Sequence, residues 1–483
     1  MASCDIIIKD EVNVKISRLE LTTRRKLANK FKYEIPGARF MPAVRLGRWD
    51  GCVSFFSMGG QTFVNLLDEI LPILESSGYD INLSDERPPF NLSFDEVDKN
   101  HLSNKKWPIG HTHQGQSIEL RDYQVEVINK FLKTPQSIQE IATGAGKTII
   151  TATLSKLCEP YGRTIVIVPN KSLVTQTEED YKNIGIDVGV YFGDRKQLNR
   201  THTICTWQSL NNLMKASKDG TAHTTIDEFS HNVACVIVDE VHMAKADVLK
   251  QLLTGPFAHC TIRWGLTGTV PKEDYNQKAL TVSIGQVAHR ISAAELQDKG
   301  VLANCHVNIV QTEDFVAYKT YLEEQKYLTT TKVRMKFVAN EIKNIALSGN
   351  TFVLVNLIKS GELLEELIAD AVFISGKTKV HDRKDHYDDV KTAENKIIIA
   401  TYGVASVGIN IPRIFNLVLI EPGKSFVRVI QSIGRGIRKA QDKKFVQIWD
   451  ITSTAKFAKR HLTARKKFYK EAQYPYTIIK KEN

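Results

Sequence analysis

Residues 137–148 read SIQEIATGAGKT, and this stretch decides the fold class of the 483-residue chain. A strand-like run from Ser137 to Ile141 enters a turn with two glycines, and a helical segment follows from Ile149 to Leu157. Glycines allow a tight turn, and backbone amides at a helix start point toward anionic oxygens. The stretch therefore predicts a phosphate-binding loop between a strand and a helix.

Within this loop, Lys147 is predicted to reach the β- and γ-phosphates of ATP, and Thr148 is predicted to hold Mg²⁺. Ile141 stands where the usual G-x-x-x-x-G-K-[ST] pattern has its first glycine, so a glycine-rich turn without a ligand is the alternative. The residues predicted to bind the nucleotide here are Thr143, Gly144, Ala145, Gly146, Lys147 and Thr148.

A pair of carboxylates follows a second apolar run. Val236 to Val238 lead directly into Asp239 and Glu240. At a strand end beside a phosphate loop, Asp239 is predicted to hold Mg²⁺, usually through water, and Glu240 to orient and deprotonate the attacking water. A solvated strand end is the alternative, and the preceding loop makes it the weaker interpretation.

Further apolar runs indicate how many sheets the chain contains. Nearly continuous β-branched runs are typical of parallel strands covered on both faces. They predict an α/β fold with two doubly wound parallel-sheet lobes, joined by a hinge within Ile291 to Asn304. The predicted strands are Thr164–Val168, Val233–Val238, Thr351–Val355, Lys396–Ile399 and Asn416–Ile420.

The first hundred residues predict a small α/β or α+β domain. Two short strands flank Gly59-Gly60, which suits a two-residue hairpin turn. Apolar residues at helical spacing then run from Leu66 to Ser77 and meet Gly78 as a stop. The predicted domains are an N-terminal domain at 1–95, a linker at 96–117, lobes at 118–295 and 296–455, and a basic C-terminal segment at 456–483.

Charge and composition restrict the classes of partner. Lys and Arg number 65 against 54 Asp and Glu, a formal net charge of +11, which favours a polyanion. The charge is uneven: residues 1–60 carry +5, residues 61–100 carry −7, and residues 456–483 carry +7. The basic segment is predicted to be either a phosphate-binding helix, with Arg465 among its cations, or a solvated tail.

Cysteine usage and hydropathy exclude other classes. The seven cysteines are scattered and none lies in a C-x-x-C pair, so we predict neither a disulfide framework nor a zinc site. No apolar run approaches the roughly 18 residues of a membrane span, and the first eleven residues lack a signal-peptide core. We expect a cytoplasmic protein without a membrane partner.

In the first predicted lobe, the two motifs and the segments around them resemble the superfamily 2 helicases of the DExH kind. Arg121 and Gln124 resemble the Q motif, whose glutamine reads adenine in that family. Gly265 to Thr269 resemble motif III. Two strand-end segments resemble those that grip a nucleic-acid backbone, and they contribute Pro169, Asn170, Lys171, Thr206, Trp207 and Gln208.

The second lobe continues the resemblance. Phe352 to Asn356 resemble motif IV, Ser375-Gly376 with Arg383 resemble the next segment, and Thr401 lies in a stretch like motif V. That stretch contributes Gly408, and Asn410 stands where the family commonly has an acidic residue. Motif VI matches closely, and it implies that Gln431, Arg435 and Arg438 act at the γ-phosphate.

Residues 39–51, RFMPAVRLGRWDG, resemble the N-terminal domain of the phage UvsW branch-migration helicases. Arg39, Arg45 and Arg48, with Phe40 and Trp49, form a combination that can pair with phosphates and stack on bases at a junction. In the alternative interpretation Trp49 and Phe40 are core residues and the arginines form a solvated face.

The resemblance implies two RecA-like lobes and an ATP- and Mg²⁺-dependent DNA helicase. It implies that the enzyme unwinds and branch-migrates Holliday junctions, forks, D-loops or R-loops in recombination, repair and replication. Recombination or replication proteins are possible partners, and a phage-encoded chain would act in the host cytoplasm. The alternatives are an RNA-directed DExH helicase, a non-motor ATP-dependent clamp, and a translocating subunit of a restriction complex.

Overall fold

The computed structural model describes residues 2–108, 114–243, 246–378, 386, 389–390, 393–405, 413–423 and 445–482. The chain forms two compact units. The first comprises residues 1–140 and 147–290, and the second comprises residues 141–146 and 291–483.

The first unit begins with a small α/β domain. A four-stranded sheet has the order β5-β2-β1-β6, and β3 and β4 form a separate two-stranded sheet. β1 runs antiparallel to β2 and parallel to β6. The elements are β1 Ala2–Ile8, β2 Asn13–Ser17, α1 Leu21–Lys30, β3 Lys32–Glu34, α2 Pro42–Arg45, β4 Cys52–Ser54, β5 Gln61–Phe63, α3 Leu67–Ser76 and β6 Tyr79–Asp85.

The predicted hairpin around Gly59-Gly60 is wrong, although the turn itself is present. β4 pairs with β3, and β5 pairs with β2. Between them, Phe55 and Phe56 are buried, so the chain crosses from one sheet to the other instead of folding back on itself. Gly60 has φ +83°, and a Cβ there would lie 2.0 Å from the carbonyl oxygen of Ile16. The turn therefore requires glycine because it packs against β2.

The rest of the first unit is a doubly wound lobe. Its eight-stranded sheet has the order β10-β9-β11-β8-β12-β13-β7-β14. The central strands pair in parallel, as their continuous apolar runs predict. The elements are α4 Asp122–Lys133, β7 Gln136–Ile141, α5 Lys147–Leu157, β8 Arg163–Val168, α6 Lys171–Asn183, β9 Gly189–Phe192, β10 Arg195–Lys196, β11 His202–Thr206, α7 Trp207–Lys218, α8 Ile226–Ser230, β12 Val233–Asp239, α9 Ala246–Thr254, β13 Ile262–Thr267, α10 Asp274–Ser283 and β14 Gln286–Ile291.

The N-terminal domain and this lobe share a hydrophobic core. Tyr275, Ala279 and Val282 of α10 are buried together with Phe55, Leu27 and other core residues of the N-terminal domain. Lys278 of α10 also pairs with Glu69 at 2.7 Å. The predicted boundary at residue 95 therefore does not separate two independent cores.

The predicted linker at 96–117 has no helix or strand in its described residues, 96–108 and 114–117. It is nevertheless held in place, because Val97 and Leu102 are buried. The backbone amide of Val97 donates to Asn129 Oδ1 of α4 at 2.8 Å. These residues pack against the lobe and do not span a gap.

The second unit is built on a seven-stranded sheet of order β17-β18-β16-β19-β20-β15-β21, in which each pair of neighbours is parallel. Among its predicted strands, Thr351–Val355 and Asn416–Ile420 match the structure at both ends. The elements are α11 Ala293–Asp298, β15 Asn304–Glu313, α12 Tyr321–Thr330, α13 Lys332–Ala346, β16 Thr351–Val355, α14 Ile358–Leu367, β17 Val372–Ile374, β18 Ile397–Thr401, α15 Tyr402–Ala405, β19 Asn416–Ile420, β20 Phe445–Ser453, α16 Lys456–Glu471 and β21 Tyr476–Glu482.

The basic C-terminal segment is part of this lobe. Helix α16 packs on the sheet, and β21 pairs in parallel with β15 along Val307 to Glu313. Arg465 is fully buried and pairs with Asp450, so its prediction as a phosphate-binding cation is wrong. The solvated-tail alternative is also wrong, because Leu462 and Tyr469 on the same face of α16 are buried.

None of the helices in the described parts of the chain is long and apolar enough to cross a membrane.

Candidate active site

The predicted phosphate-binding loop joins β7 to α5. Gly144 and Gly146 have φ of +92° and +76°, values that glycine adopts without steric cost. Helix α5 begins at Lys147, so the loop amides precede a helix N-terminus as the sequence predicted. The strand, turn and helix predicted from residues 137–157 are confirmed.

Lys147 lies beside the carboxylate pair at the end of β12. Its Nζ is 2.6 Å from Glu240 Oε1, and the two side chains are 10% and 13% exposed. The amide of Gly268 donates to Glu240 Oε2 at 3.3 Å, and the amide of Glu240 donates to Asp239 Oδ1 at 2.9 Å. The structure thus brings together Lys147, Asp239 and Glu240, which are about 90 residues apart in sequence.

The two carboxylates differ in pKa for physical reasons. Burial, with the neighbouring Glu240 charge, raises the pKa of Asp239 to about 6. Burial also opposes the charge on Glu240, but Lys147 and His242 outweigh it and lower the pKa of Glu240 to about 2. Glu240 is therefore the anion that Lys147 neutralises, whereas Asp239 holds its proton more strongly than a solvated aspartate.

His242 connects this pair to the predicted motif III. Its Nδ1 lies 2.6 Å from Thr267 Oγ1 and 3.6 Å from Glu240 Oε2. Thr267 Oγ1 in turn donates to the carbonyl of Thr269 at 2.6 Å. A movement of the Glu240 side chain can therefore be transmitted to residues 267–269 through direct contacts.

Glu140 is a site residue that the sequence reasoning missed. It is the penultimate residue of β7, just before the loop, and its Oε1 accepts from the amide of Val270 at 3.2 Å. Its Oε2 lies 2.9 Å from Arg290 Nε. The sequence offered one signal, an acidic residue two positions before Ala142 at the start of the phosphate-binding loop, but its two partners are distant in sequence.

The predicted adenine-reading residues cap helix α4. Gln124 is 5% exposed, and its Oε1 accepts from the amide of Arg121 at 2.9 Å. Arg121 Nη1 donates to Tyr123 Oη at 3.1 Å. Both side chains are held in defined positions, and the adenine contact stays a prediction.

Two predicted nucleic-acid segments meet at one sheet edge. β8 and β11 are parallel neighbours, so Asn170 and Thr206 follow their carboxyl ends side by side. Asn170 Oδ1 accepts from Leu173 and caps α6, and Thr206 Oγ1 accepts from Ser209 and caps α7. Gln208 Nε2 donates to the carbonyl of Pro169 at 3.1 Å and joins the segments.

The remaining two residues of these segments differ in exposure. Lys171 is exposed at the first turn of α6. Trp207 packs against the hydrophobic core of the lobe. The nucleic-acid contacts of both residues stay predictions.

In the second unit, Thr401 ends β18 and lies opposite Val355 of β16. Six further predicted residues of this unit lie outside the described residues. They are Arg383, Gly408, Asn410, Gln431, Arg435 and Arg438.

In the N-terminal domain, Arg45 and Arg48 are exposed. Trp49 is half-buried, and its ring N–H donates to the carbonyl of Cys52 at 3.0 Å. Phe40 is 71% exposed, so the alternative that placed it in the core is wrong.

Within the described residues, no group of three or more His, Cys, Asp or Glu side chains is arranged to hold a metal ion. The oxygen ligands that the sequence assigned to Mg²⁺ are one hydroxyl and one carboxylate, Thr148 and Asp239. Such a pair fits a magnesium ion that also binds phosphate oxygens and water.

Comparison with known proteins gives matches over both lobes. The family model described as "Type III restriction enzyme, res subunit" matches residues 117–272, and "Helicase conserved C-terminal domain" matches residues 315–440. The ATP-dependent DNA helicase uvsW of Enterobacteria phage T4 is 25% identical over 477 residues, which cover 93% of this chain and 90% of that protein.

Two further matches agree with these. The DNA 3'-5' translocase XPB2 of Sulfurisphaera tokodaii is 28% identical over 208 residues, or 42% of each chain. Among solved structures, a fragment of a putative HsdR subunit of a type I restriction enzyme from Vibrio vulnificus matches with a TM-score of 0.57 at 17% identity. That match covers 97% of this chain and 85% of the other, and it shows the fold.

Proposed function

Since the chain belongs to the superfamily 2 helicases and is an ATP-dependent DNA helicase, we propose that its substrate is branched DNA, which it unwinds and branch-migrates. The observation that carries the proposal is the N-terminal domain. The match to the phage helicase spans 93% of the chain and so extends beyond the helicase lobes. The segment resembling the UvsW domain exposes Arg45 and Arg48.

The ATP site is proposed to work through an exchange of partners at Lys147. Its pair with Glu240, at 2.6 Å, would be replaced by the β- and γ-phosphates. Thr148 and Asp239 would hold Mg²⁺, which neutralises phosphate charge when bound. Glu240, freed from Lys147, would then accept the proton of the attacking water.

The predicted motif VI residues complete this proposal. Arg435 and Arg438 would neutralise charge that develops on the γ-phosphate, and Gln431 would position the water or phosphate. His242 contacts both Glu240 and Thr267. Through these contacts, a movement of Glu240 during hydrolysis would displace residues 267–269.

DNA contacts are proposed at strand ends and in the N-terminal domain. Asn170 and Thr206 cap neighbouring helices, so they orient backbone amides that can bind phosphates. Lys171 and Thr401 would add contacts to the same strand. Residues 1–95 are proposed to select branched DNA, and recombination or replication proteins stay possible partners.

The test compares DNA-stimulated ATP hydrolysis and strand displacement on single-stranded, duplex, forked and four-way DNA, and on a matched RNA strand. We expect forked and four-way DNA to stimulate hydrolysis most. Lys147→Ala and Asp239→Ala are the inactive controls. Equal stimulation by all DNA forms would refute branch selection. Stronger stimulation by RNA would favour the RNA-directed alternative, and remodelling by Lys147→Ala would favour a clamp.

A further inference from the structure

The loop between β3 and β4, residues 35–51, exposes large apolar side chains. Phe40 is 71% exposed, Leu46 is 64% exposed and Met41 is 39% exposed. Exposed apolar side chains that are concentrated in one short loop favour a binding site, because leaving them in water forgoes the free energy of burial. The β3–β4 loop therefore has the composition of a contact surface.

The loop has a defined shape. Its base is closed by the Glu34–Cys52 pair of β3 and β4 and by the amide of Ile35, which donates to the carbonyl of Gly51 at 2.9 Å. Inside it, Ala38 is 1% exposed, and α2 spans Pro42–Arg45. A loop with its own buried anchor presents Phe40 in a fixed place, so little ordering is needed when a partner binds.

The charges around these side chains favour a polyanion. Arg39, Arg45 and Arg48 are exposed, and the Arg39 guanidinium lies 4.8 Å from the centre of the Phe40 ring. Asp50, the acidic residue of the loop, is paired with Lys32 at 2.6 Å. The loop thus combines exposed cations with an aromatic ring, which suits phosphates beside unstacked bases better than an apolar protein surface.

We propose that Phe40, with Leu46 in the same loop, contacts the bases at the branch point of DNA and stacks where base pairing ends, while the arginines bind the flanking phosphates. This inference rests on the proposed function and deepens it, since it names the specificity-determining residue. A fully paired duplex offers Phe40 no open base face, whereas a fork or junction does. Apolar side chains that enter a base step also favour its unstacking.

The test uses the full-length protein without ATP and forked DNA carrying 2-aminopurine at the branch point. We expect wild-type binding to raise 2-aminopurine fluorescence, because the base loses its stacked neighbour. Phe40→Ala should abolish that rise and weaken binding to forked DNA by at least about fivefold, while binding to linear duplex stays within about twofold. Phe40→Trp, which keeps an aromatic face, should retain the fluorescence change.

Phe315→Ala is the matched control, because Phe315 is an aromatic residue of the second unit that is 94% exposed. It should behave like the wild type. If Phe40→Ala binds forked DNA and raises fluorescence as the wild type does, the inference is overturned, and a protein partner becomes the occupant to seek. If branched DNA fails to stimulate wild-type ATP hydrolysis, the proposed function itself falls. The two failures are therefore distinguishable.

Discussion

Replacing Arg465 with methionine should destabilise the second unit severely while leaving DNA contacts unchanged. The Arg465 guanidinium is fully buried and makes a two-point pair with Asp450, with Nε to Oδ2 at 2.8 Å and Nη2 to Oδ1 at 3.0 Å. A third donor, Nη1, reaches the carbonyl of Gly423 at 2.8 Å. Tyr469 Oη also donates to Asp450 Oδ2 at 2.8 Å. Methionine keeps most of the volume, so the substitution mainly leaves Asp450 as a buried, uncompensated charge.

Breaking a buried ion pair from one side costs about 3–5 kcal/mol, because the remaining charge has lost both water and partner. In a unit of this size each kcal/mol lowers the Tm by about 2–4 °C, so we expect a fall of about 10 °C. Thermal unfolding followed by calorimetry measures it. Asp450→Asn in the same chain should restore part of the loss, since it removes the unpaired charge.

The matched control is Lys467→Ala on the same helix, whose side chain is 76% exposed. It should change the Tm little. If Arg465→Met melts within about 2 °C of the wild type, or if Asp450→Asn adds to its loss, the buried pair does not have the role argued for it.

Three further outcomes follow from the geometry. Glu240→Gln should lower the ATP hydrolysis rate by about 10²–10⁴-fold while nucleotide binding persists, as steady-state kinetics and a fluorescent nucleotide would show; a rate near that of the wild type would contradict its role as base. Burial raises the pKa of Glu421 to about 7 despite the nearby Arg334. The protonated carboxyl group therefore makes its full contribution to the free energy of unfolding below about pH 4.5, and this contribution is lost as the pH rises through 7. The Tm of the wild type relative to Glu421→Gln should accordingly fall between about pH 5 and pH 8, and a constant difference would contradict this. Gly60→Ala should lower the Tm more than Gly37→Ala, because both glycines have positive φ but a Cβ at Gly37 meets no atom within 4 Å; equal losses would mean that the contact with β2 does not matter.

Local patterns predicted several central strands of both lobes because a parallel strand covered on both faces must be apolar at successive positions. Asn416–Ile420 is an example, since all five of its residues are buried. The phosphate-binding loop was predictable for a similar reason, as its two positive-φ glycines are adjacent in sequence to the lysine that they position.

Features that depend on distant partners were not predictable. Arg465 lies two residues from exposed Lys467, and the partners of its guanidinium, Asp450 and Gly423, lie 15 and 42 residues away in sequence. Glu140 becomes a site residue through Val270 and Arg290, whose spacing in sequence carries no pattern. The predicted hairpin was wrong for the same reason. Phe55 and Phe56 are buried between β4 and β5, so these two strands pair with other strands and not with each other.

The shared core of the N-terminal domain has a consequence for synthesis. Tyr79, near the end of that domain, precedes Val282 of α10 by about 200 residues, and both belong to one core. At roughly 5–20 residues per second, a ribosome needs roughly ten to forty seconds to cover that distance. During this interval Phe55 and its neighbours lack the surface of Tyr275 and Ala279 that covers them in the finished protein. The N-terminal domain is therefore unable to close its core until the first lobe has nearly been made, and the nascent chain must remain soluble until then.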